Sequence, residues 1–417
     1  MYEIKEKTNF GRDFADCKEK NVMKRIAMFT YGYPVGSYQM ELVKALAEKS
    51  IHIDFIYGDY FAFDYGGAPP ILIDMQNYSN LSNIRCNELQ AQCRPRTQEE
   101  CHDYLASICA VFTKKYHERY DAFIGVEKIG LAVAAMLGSK LKTPYFYWSL
   151  EIYCSDAETW VRHTPFHDFW LQMERTVRKS AAATIIQDED RANALDNMTG
   201  HAGFNLYLPV TVEKSIVQPQ GGYFMHDLCG IPHERKILLH FGGNMMSLQW
   251  VREIAVALPE PWTLVMHNPF GRPISDNGLP HMKLVNSSMR LQENDMPRAI
   301  ASADIGFVHY HPIDFNNALT AMASAKTARY LTAGKPIIAY NGTTNLHRIF
   351  DKYTCGLTYS EPGQVGYAIQ AIEKNEIMFK RMAQKAGEMF LFENASRQLM
   401  NFFDEFLKLD KLRQGVI

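Results

Sequence analysis

The sequence lacks the short motifs that mark zinc, disulfide and dinucleotide sites. Its eight cysteines include no C-x-x-C pair, so we expect neither a zinc site nor a disulfide framework, and we expect reduced thiols. It also holds no G-x-G-x-x-G and no G-x-x-x-x-G-K-[ST]. These absences disfavour a nicotinamide-dependent dehydrogenase and a P-loop phosphotransferase.

Excess charge and long apolar runs are missing as well. A formal net charge of −2 gives no sign of the basic face that nucleic-acid binders show, so we expect no nucleic-acid partner. The most apolar run, GLAVAAMLG at 130–138, has half of the about 18 residues that a membrane-spanning helix needs. The first twenty residues are polar and charged on both sides of Phe10, unlike a secretory leader. A cytoplasmic protein is therefore expected.

What the chain does contain is an alternation of short apolar runs with segments of helical periodicity. With 417 residues, 47% of them hydrophobic, it has room for two domains of about 200 residues each. The runs that predict strands are KRIAMFT, IHIDFIY, YDAFIGV, PYFYWSL and AAATIIQ in the first half, and KILLHFG, WTLVMHN, DIGFVHY, PIIAY and GLTY in the second. Such alternation predicts an α/β fold with parallel sheets covered by helices on both faces.

The alternation stops between Leu208 and Glu234, where three prolines and a pair of glycines interrupt the pattern. We therefore predict two Rossmann-like doubly wound domains, 1–212 and 213–394, that face each other across a cleft. Residues 395–417 are predicted to form a helix that packs back on the first domain. Ligands of such folds bind where strand ends and helix starts converge.

Glycines follow the first predicted strand of each domain. Gly32 and Gly36 lie in the first turn, and Gly242 and Gly243 in the second. Backbone N–H groups at a helix start favour an anion, and glycine lets that anion approach closely. The alternative interpretation is that both are ordinary strand-to-helix turns.

Three ordered stretches of the second half, MPRAIASADIGFVHY, SAKTARYLTAGKPIIAYNGT and CGLTYSEPGQVGYAI, carry a family resemblance. They resemble the carboxyl-terminal half of the GT-B glycosyltransferases, especially those of family 4, where a helix ends in A-x-G-K-P-[IV]-I-A after the loop that holds the sugar nucleotide. In the first half, MERTVRKSAAATIIQDEDRANAL is similar to the last unit of that family's amino-terminal domain. The resemblance spans Lys24 to Phe403, and its most specific part surrounds Gly334.

The resemblance implies a nucleotide-diphosphate sugar, with UDP preferred, on the second domain and an acceptor that enters from the first. Ser324 would cap the helix that faces the donor, and Lys326 would add a cation beside free backbone N–H groups. The alternative is that Ser324 is only a cap and Lys326 a solvated charge. The predicted donor-binding residues are Gly242, Gly243, Asn244, His311, Asn316, Asn317, Ser324, Lys326 and Arg329, with His240 as a weaker candidate. The predicted acceptor-side loop contains Gly32, Tyr33 and Gly36.

The sequence departs from the family at one pair of positions. Many retaining members carry Glu, seven residues and a second Glu across this helix, whereas Ala321 and Arg329 occupy these positions here. The basic pair that many members carry after the first strand of the second domain is also missing from GGNMMSLQW. Stereochemistry is therefore left open. Helix ends and side-chain cations would offset the diphosphate charge, so no metal or other cofactor is expected.

Candidates for the chemistry lie at strand ends of the first domain. Glu127 follows DAFIGV and Glu151 follows YFYWSL, and a buried carboxylate there can take the proton of an acceptor. The alternative is helix capping or pairing with Lys128. His163, four residues before His167, is a third candidate base; a metal reading would need more ligands than the two histidines.

The resulting prediction is a metal-independent glycosyltransferase acting on a glycan, lipid-linked or protein acceptor. The basic, aromatic segment VRHTPFHDFWLQMERTVRKS raises the alternative of peripheral membrane contact, against a core-packed helix. Two further alternatives are a GT-B sugar-nucleotide epimerase and a catalytically silent GT-B subunit that stabilises a partner enzyme.

Overall fold

The computed structural model describes residues 23–31, 37–58, 81–85, 97–115, 119–152, 165–212, 214, 217, 222–242, 246–268, 278–289, 291, 295–312, 315–343 and 345–414. All structural statements below concern these residues. No helix among them is both long and apolar enough to cross a bilayer.

Seven strands of the first half form one parallel sheet. They are β1 (Arg25–Tyr31), β2 (His52–Gly58), β3 (Leu81–Arg85), β4 (Ala122–Val126), β5 (Tyr145–Trp148), β6 (Thr184–Ile186) and β7 (Asn205–Tyr207). Their spatial order is β3-β2-β1-β4-β5-β6-β7, and every neighbouring pair runs parallel. The strand order reverses between β1 and β4, the place where doubly wound sheets bind ligands.

Helices cover this sheet. They are α1 (Ser37–Glu48), α2 (Gln98–Lys115), α3 (Glu127–Leu141), α4 (Pro165–Val177) and α5 (Glu189–Thr199). The central strand β4 reads AFIGV and is buried throughout, as a parallel strand covered on both faces must be. Helix α5 begins at a side-chain cap, since Asp188 accepts a hydrogen bond from the Arg191 amide at 2.8 Å. This cap fixes where α5 starts after β6.

The second half repeats the plan. Its strands are β8 (Lys236–Phe241), β9 (Trp262–His267), β10 (Leu284–Ser287), β11 (Ile305–Val308), β12 (Ile337–Tyr340) and β13 (Gly356–Tyr359), in the parallel order β10-β9-β8-β11-β12-β13. Its helices are α6 (Phe224–Cys229), α7 (Leu248–Ala257), α8 (Asp295–Ala301), α9 (Phe315–Ala318), α10 (Ala325–Thr332), α11 (Leu346–Tyr353), α12 (Gln364–Lys374) and α13 (Glu376–Gly387). The predicted pair of doubly wound parallel sheets is confirmed.

The chain closes with two further helices, α14 (Phe392–Ala395) and α15 (Arg397–Gln414). Side chains of α15 join the apolar core of the first sheet. The ring of Phe403 lies 5.2 Å from that of Phe146 on β5, centroid to centroid. The domain limits assigned from the sequence stay predictions.

Helix α10 is held on the second sheet by one aromatic side chain. Tyr330 is fully buried, and its hydroxyl donates a hydrogen bond to the carbonyl of Leu239 on β8 at 2.6 Å. It passes over Gly306 of β11, where a Cβ atom would lie 2.3 Å from the Tyr330 ring. Gly334, with a φ of +68°, follows the helix as a C-terminal glycine commonly does. The first turn of α10 is thereby placed at the carboxyl edge of β11.

Candidate active site

The first turn of α10 carries a buried polar group from the second domain. Ser324 precedes the helix, is 2% exposed, and accepts a hydrogen bond from the Thr327 amide at 3.2 Å. Its Oγ lies 3.0 Å from the hydroxyl of Tyr310, just beyond β11. The N-terminal end of a helix attracts anions because its first N–H groups have no partner within the helix.

Lys326 lies in this turn with only 8% of its surface exposed. Its Nζ atom is 4.2 Å from the centroid of the Tyr310 ring, a cation–π geometry. Burial lowers the pKa of Lys326 to about 7, because a charged ammonium is poorly solvated there. An anion arriving beside this amine would favour the protonated form and be bound by it.

His240, at the end of β8, is completely buried. Neither of its ring nitrogens has a hydrogen-bond partner within the described part of the chain. Burial holds the pKa of His240 well below its ordinary value, and the nearby Lys326 and His309 act in the same direction. The ring is therefore neutral, with one donor and one acceptor nitrogen, both buried without a protein partner in the described part of the chain.

On the first domain, Glu127 begins α3 directly after β4 with a φ of +57°. This left-handed conformation is strained for any residue other than glycine. Its Oε1 accepts hydrogen bonds from the amides of Leu150 and Glu151 at 2.6 and 2.9 Å. Its Oε2 lies 3.5 Å from Nζ of Lys128, the pairing considered as an alternative from the sequence. Glu127 thus holds the turn that follows β5.

Glu151 lies in that turn, half-buried. Its carbonyl oxygen accepts a hydrogen bond from Nζ of Lys128 at 3.0 Å. Burial raises the pKa of Tyr310 to about 12, and the negative charge of Glu151 adds to the effect. The charge of the Glu151 carboxylate, in the first domain, therefore acts on the hydroxyl of Tyr310 in the second domain.

No protein-family profile matches the chain, and no curated protein matches its sequence. Sucrose-phosphate synthase from Thermosynechococcus elongatus superposes with a TM-score of 0.66 at 14% identity, over 93% of this chain and 100% of that one. HepE of Anabaena, solved with UDP-glucose, superposes with a TM-score of 0.61 at 13% identity, over 91% and 99%. A glycosyltransferase from Rickettsia africae gives 0.62 at 11% identity, over 93% and 99%.

The chain has the GT-B fold. Sequence identities of 11–14% establish a shared fold only. The chemistry of this GT-B chain is therefore inferred from its own residues.

The remaining predicted donor residues lie on several elements of the second domain. Gly242 follows β8 with a φ of +90°, and His311 is exposed just beyond Tyr310. Asn317 is half-buried on α9, and Arg329 is half-buried in the last turn of α10. These assignments stay predictions.

Asn316, a predicted donor-binding residue, bonds to the first domain, and its role in donor binding stays a prediction. Its Oδ1 accepts hydrogen bonds from the amide of Ile152 at 2.6 Å and from Nη2 of Arg191 at 3.0 Å. Both partners belong to the first domain.

Six predicted site residues lie outside the described part of the chain: Gly32, Tyr33, Gly36, His163, Gly243 and Asn244.

Two functional candidates had no sequence signal strong enough to select them. Tyr310 is the last residue of DIGFVHY and looks like strand continuation, yet it contacts both Ser324 and Lys326. Arg191 lies in the helix DEDRANALDN and looks like a surface charge, yet it is 1% exposed.

The described residues contain no group of three or more His, Cys, Asp or Glu side chains placed to hold a metal ion; metal independence stays a prediction.

Proposed function

We propose that this protein is a glycosyltransferase that moves a sugar from a nucleotide-diphosphate donor to a hydroxyl group of an acceptor. The observation that carries the proposal is the buried Lys326 in the first turn of α10, which lies over the ring of Tyr310 in a chain of GT-B fold. The charge of Glu151, from the first domain, acts on the same tyrosine. A cation and an anion-attracting helix end on one side of a cleft, with a carboxylate on the other, suit displacement of a diphosphate.

The donor's diphosphate binds at the first turn of α10. The ammonium of Lys326 and the helix N–H groups offset its charge and stabilise the charge that develops on the departing phosphate oxygen. UDP is the proposed nucleotide, supported by HepE, which was solved with UDP-glucose.

Glu151 is the proposed base. Its carboxylate takes the acceptor's hydroxyl proton as the acceptor oxygen forms a bond to the anomeric carbon of the sugar. The bond from that carbon to the β-phosphate oxygen breaks, and its electron pair leaves with the nucleoside diphosphate beside Lys326. A single displacement of this kind inverts the anomeric configuration. The acceptor is a glycan, a lipid-linked sugar or a protein.

A thermal-shift panel of UDP-, GDP-, ADP- and dTDP-sugars tests the proposal, because a ligand that binds only the folded protein raises its melting temperature. We expect a UDP-sugar to raise it and Lys326→Ala to abolish the rise. Lys352→Ala is the matched control, since Lys352 also lies over an aromatic ring, Tyr353, at 5.1 Å, but on α11 and exposed. No shift with any nucleotide sugar would contradict the proposal and favour a silent subunit.

A further inference from the structure

The turn that carries Glu151 is restrained by side chains to an unusual degree. Five consecutive main-chain groups, from the Leu150 amide to the Ile152 amide, are each bonded to a side chain. Glu127 accepts from the amides of Leu150 and Glu151, at 2.6 and 2.9 Å. Loop groups are more commonly satisfied by other backbone groups or by water. A turn held in this way presents its side chain in one direction.

The two carbonyls in this turn are held by buried cations. Nη2 of Arg191 donates to the Leu150 carbonyl at 2.7 Å, and Nζ of Lys128 donates to the Glu151 carbonyl at 3.0 Å. Both cations are almost fully buried, at 1% and 8% exposure. Their hydrogen bonds are charge-assisted and therefore stronger than bonds between neutral groups.

Arg191 is itself fixed. Its Nε donates to Oε1 of Gln187 at 2.6 Å, and Nε2 of Gln187 donates to the carbonyl of Ser149 at 3.0 Å. Its Nη1 reaches the carbonyl of Leu319 in the second domain at 3.2 Å. The guanidinium thus spans the first-domain turn and the second domain at once.

The fifth group is held from across the cleft. The Ile152 amide donates to Oδ1 of Asn316 at 2.6 Å, and the same oxygen accepts from Arg191 at 3.0 Å. Asn316 belongs to α9, on the stretch that follows Tyr310. The second domain therefore completes the hydrogen bonding of the turn that carries the proposed base.

We propose that Asn316 and Arg191 are positioning residues. They hold Glu151 in place for catalysis only while the two domains are in contact through these hydrogen bonds. The inference rests on the proposed function for its catalytic consequence, and on hydrogen bonding alone for its structural one. When the domains separate here, the Ile152 amide and the Arg191 guanidinium lose a shared acceptor, and the Glu151 turn gains freedom. A displacement of about 1 Å at a reacting group is enough to cost about 100-fold in rate.

Two substitutions at one position separate this role from donor recognition. Asn316→Ala removes the shared acceptor, whereas Asn316→Asp keeps an acceptor oxygen for Ile152 and Arg191. Asn197→Ala, at an exposed position of α5, is the control. We expect hydrogen exchange of the Ile152 amide to accelerate at least about tenfold in Asn316→Ala and to stay near wild type in Asn316→Asp. Unchanged exchange in Asn316→Ala would overturn the structural part, whether or not the protein transfers sugars.

Steady-state kinetics and donor titration complete the test. In Asn316→Ala we expect kcat to fall about 100-fold while the Kd for UDP-glucose stays within about threefold, with Asn316→Asp restoring most of the kcat. A weakened Kd with unchanged kcat would overturn the proposal and assign Asn316 to reading the sugar. A wild-type protein that binds no nucleotide sugar would contradict the proposed function, and the exchange data would still decide the role of Asn316.

Discussion

The Nζ atom of Lys326 lies 4.2 Å from the centroid of the Tyr310 ring. Both residues are in the second domain, and the hydroxyl of the same tyrosine bonds to the helix cap Ser324. The ring therefore holds the amine beside the open end of α10. The charge state of Lys326 should therefore affect both the stability of the protein and its affinity for the donor.

Stability should depend on pH through Lys326. Burial lowers its pKa from an ordinary value of 10.5 to about 7 in the folded protein. Between these values the unfolded chain binds more protons than the folded one, so the free energy of unfolding rises with pH across this window. Lys326→Met removes the effect. Below pH 7 it should be more stable than wild type, by up to about 5 kcal/mol, and the advantage should shrink as the pH approaches 10.

Urea unfolding at pH 6 and pH 9 measures this difference. Lys352→Met, at an exposed lysine, should show no such dependence. A Lys326→Met effect of equal size at both pH values would mean that the amine is not destabilised by burial.

Donor affinity should fall as the pH rises above 7. The diphosphate binds the protonated form of Lys326, and above the pKa of the free amine each binding event has to take up a proton. The Kd for UDP-glucose should therefore increase by up to about tenfold per pH unit. Isothermal titration at pH 6.5, 7.5 and 8.5 gives the profile. Lys326→Ala should bind weakly with a flat profile, and a steep profile that survives in this variant would assign the dependence to another group.

Glu151→Gln should separate chemistry from binding. The amide keeps the shape of the side chain and its main-chain bonds but cannot take a proton, so kcat should fall by about 100-fold or more. The UDP-glucose thermal shift should remain. Glu405→Gln, at an exposed position of α15, is the control. Full turnover in Glu151→Gln would remove Glu151 as the base.

Glu127 should show the cost of its backbone conformation. Glu127→Gly and Glu127→Ala both lose the hydrogen bonds to the amides of Leu150 and Glu151, which should cost about 1–3 kcal/mol. Glycine adopts a φ of +57° without strain and alanine does not, so the glycine variant should be more stable than the alanine variant by about 1 kcal/mol. Denaturant unfolding of the two variants measures this directly; equal stabilities would mean that the turn relaxes when the carboxylate is absent.

Most of the strands that the sequence predicts lie inside the sheets; β13 (GLTY) is the exception, at an edge. AFIGV of β4 and IIAY of β12 are covered on both faces, so their sequences are continuously apolar. The three strands that the sequence did not indicate, β3 (LSNIR), β7 (NLY) and β10 (LVNS), all lie at sheet edges. An edge strand pairs on one side only and needs fewer apolar residues, so its sequence resembles a loop. Helix α2 was also missed, although Cys101, Leu105 and Ile108 have helical spacing and are buried.

The site residues likewise fall into two groups, those with a local signal in the sequence and those placed by contacts between distant segments. Ser324 and Lys326 could be selected because a cap and a helix start are local features of the sequence. The bond between Arg191 and Asn316 joins residues 125 positions apart, and neither sequence neighbourhood contains any sign of the other. Such contacts depend on how two domains are placed, which no local pattern encodes.

A crystal structure of the protein with UDP-glucose tests the central claim most directly. The account predicts the diphosphate at the first turn of α10, with a phosphate oxygen about 3 Å from Nζ of Lys326 and the sugar between Tyr310 and Glu151. A diphosphate bound away from this turn, with Lys326 still packed on the Tyr310 ring and the ligand beyond its reach, would contradict it.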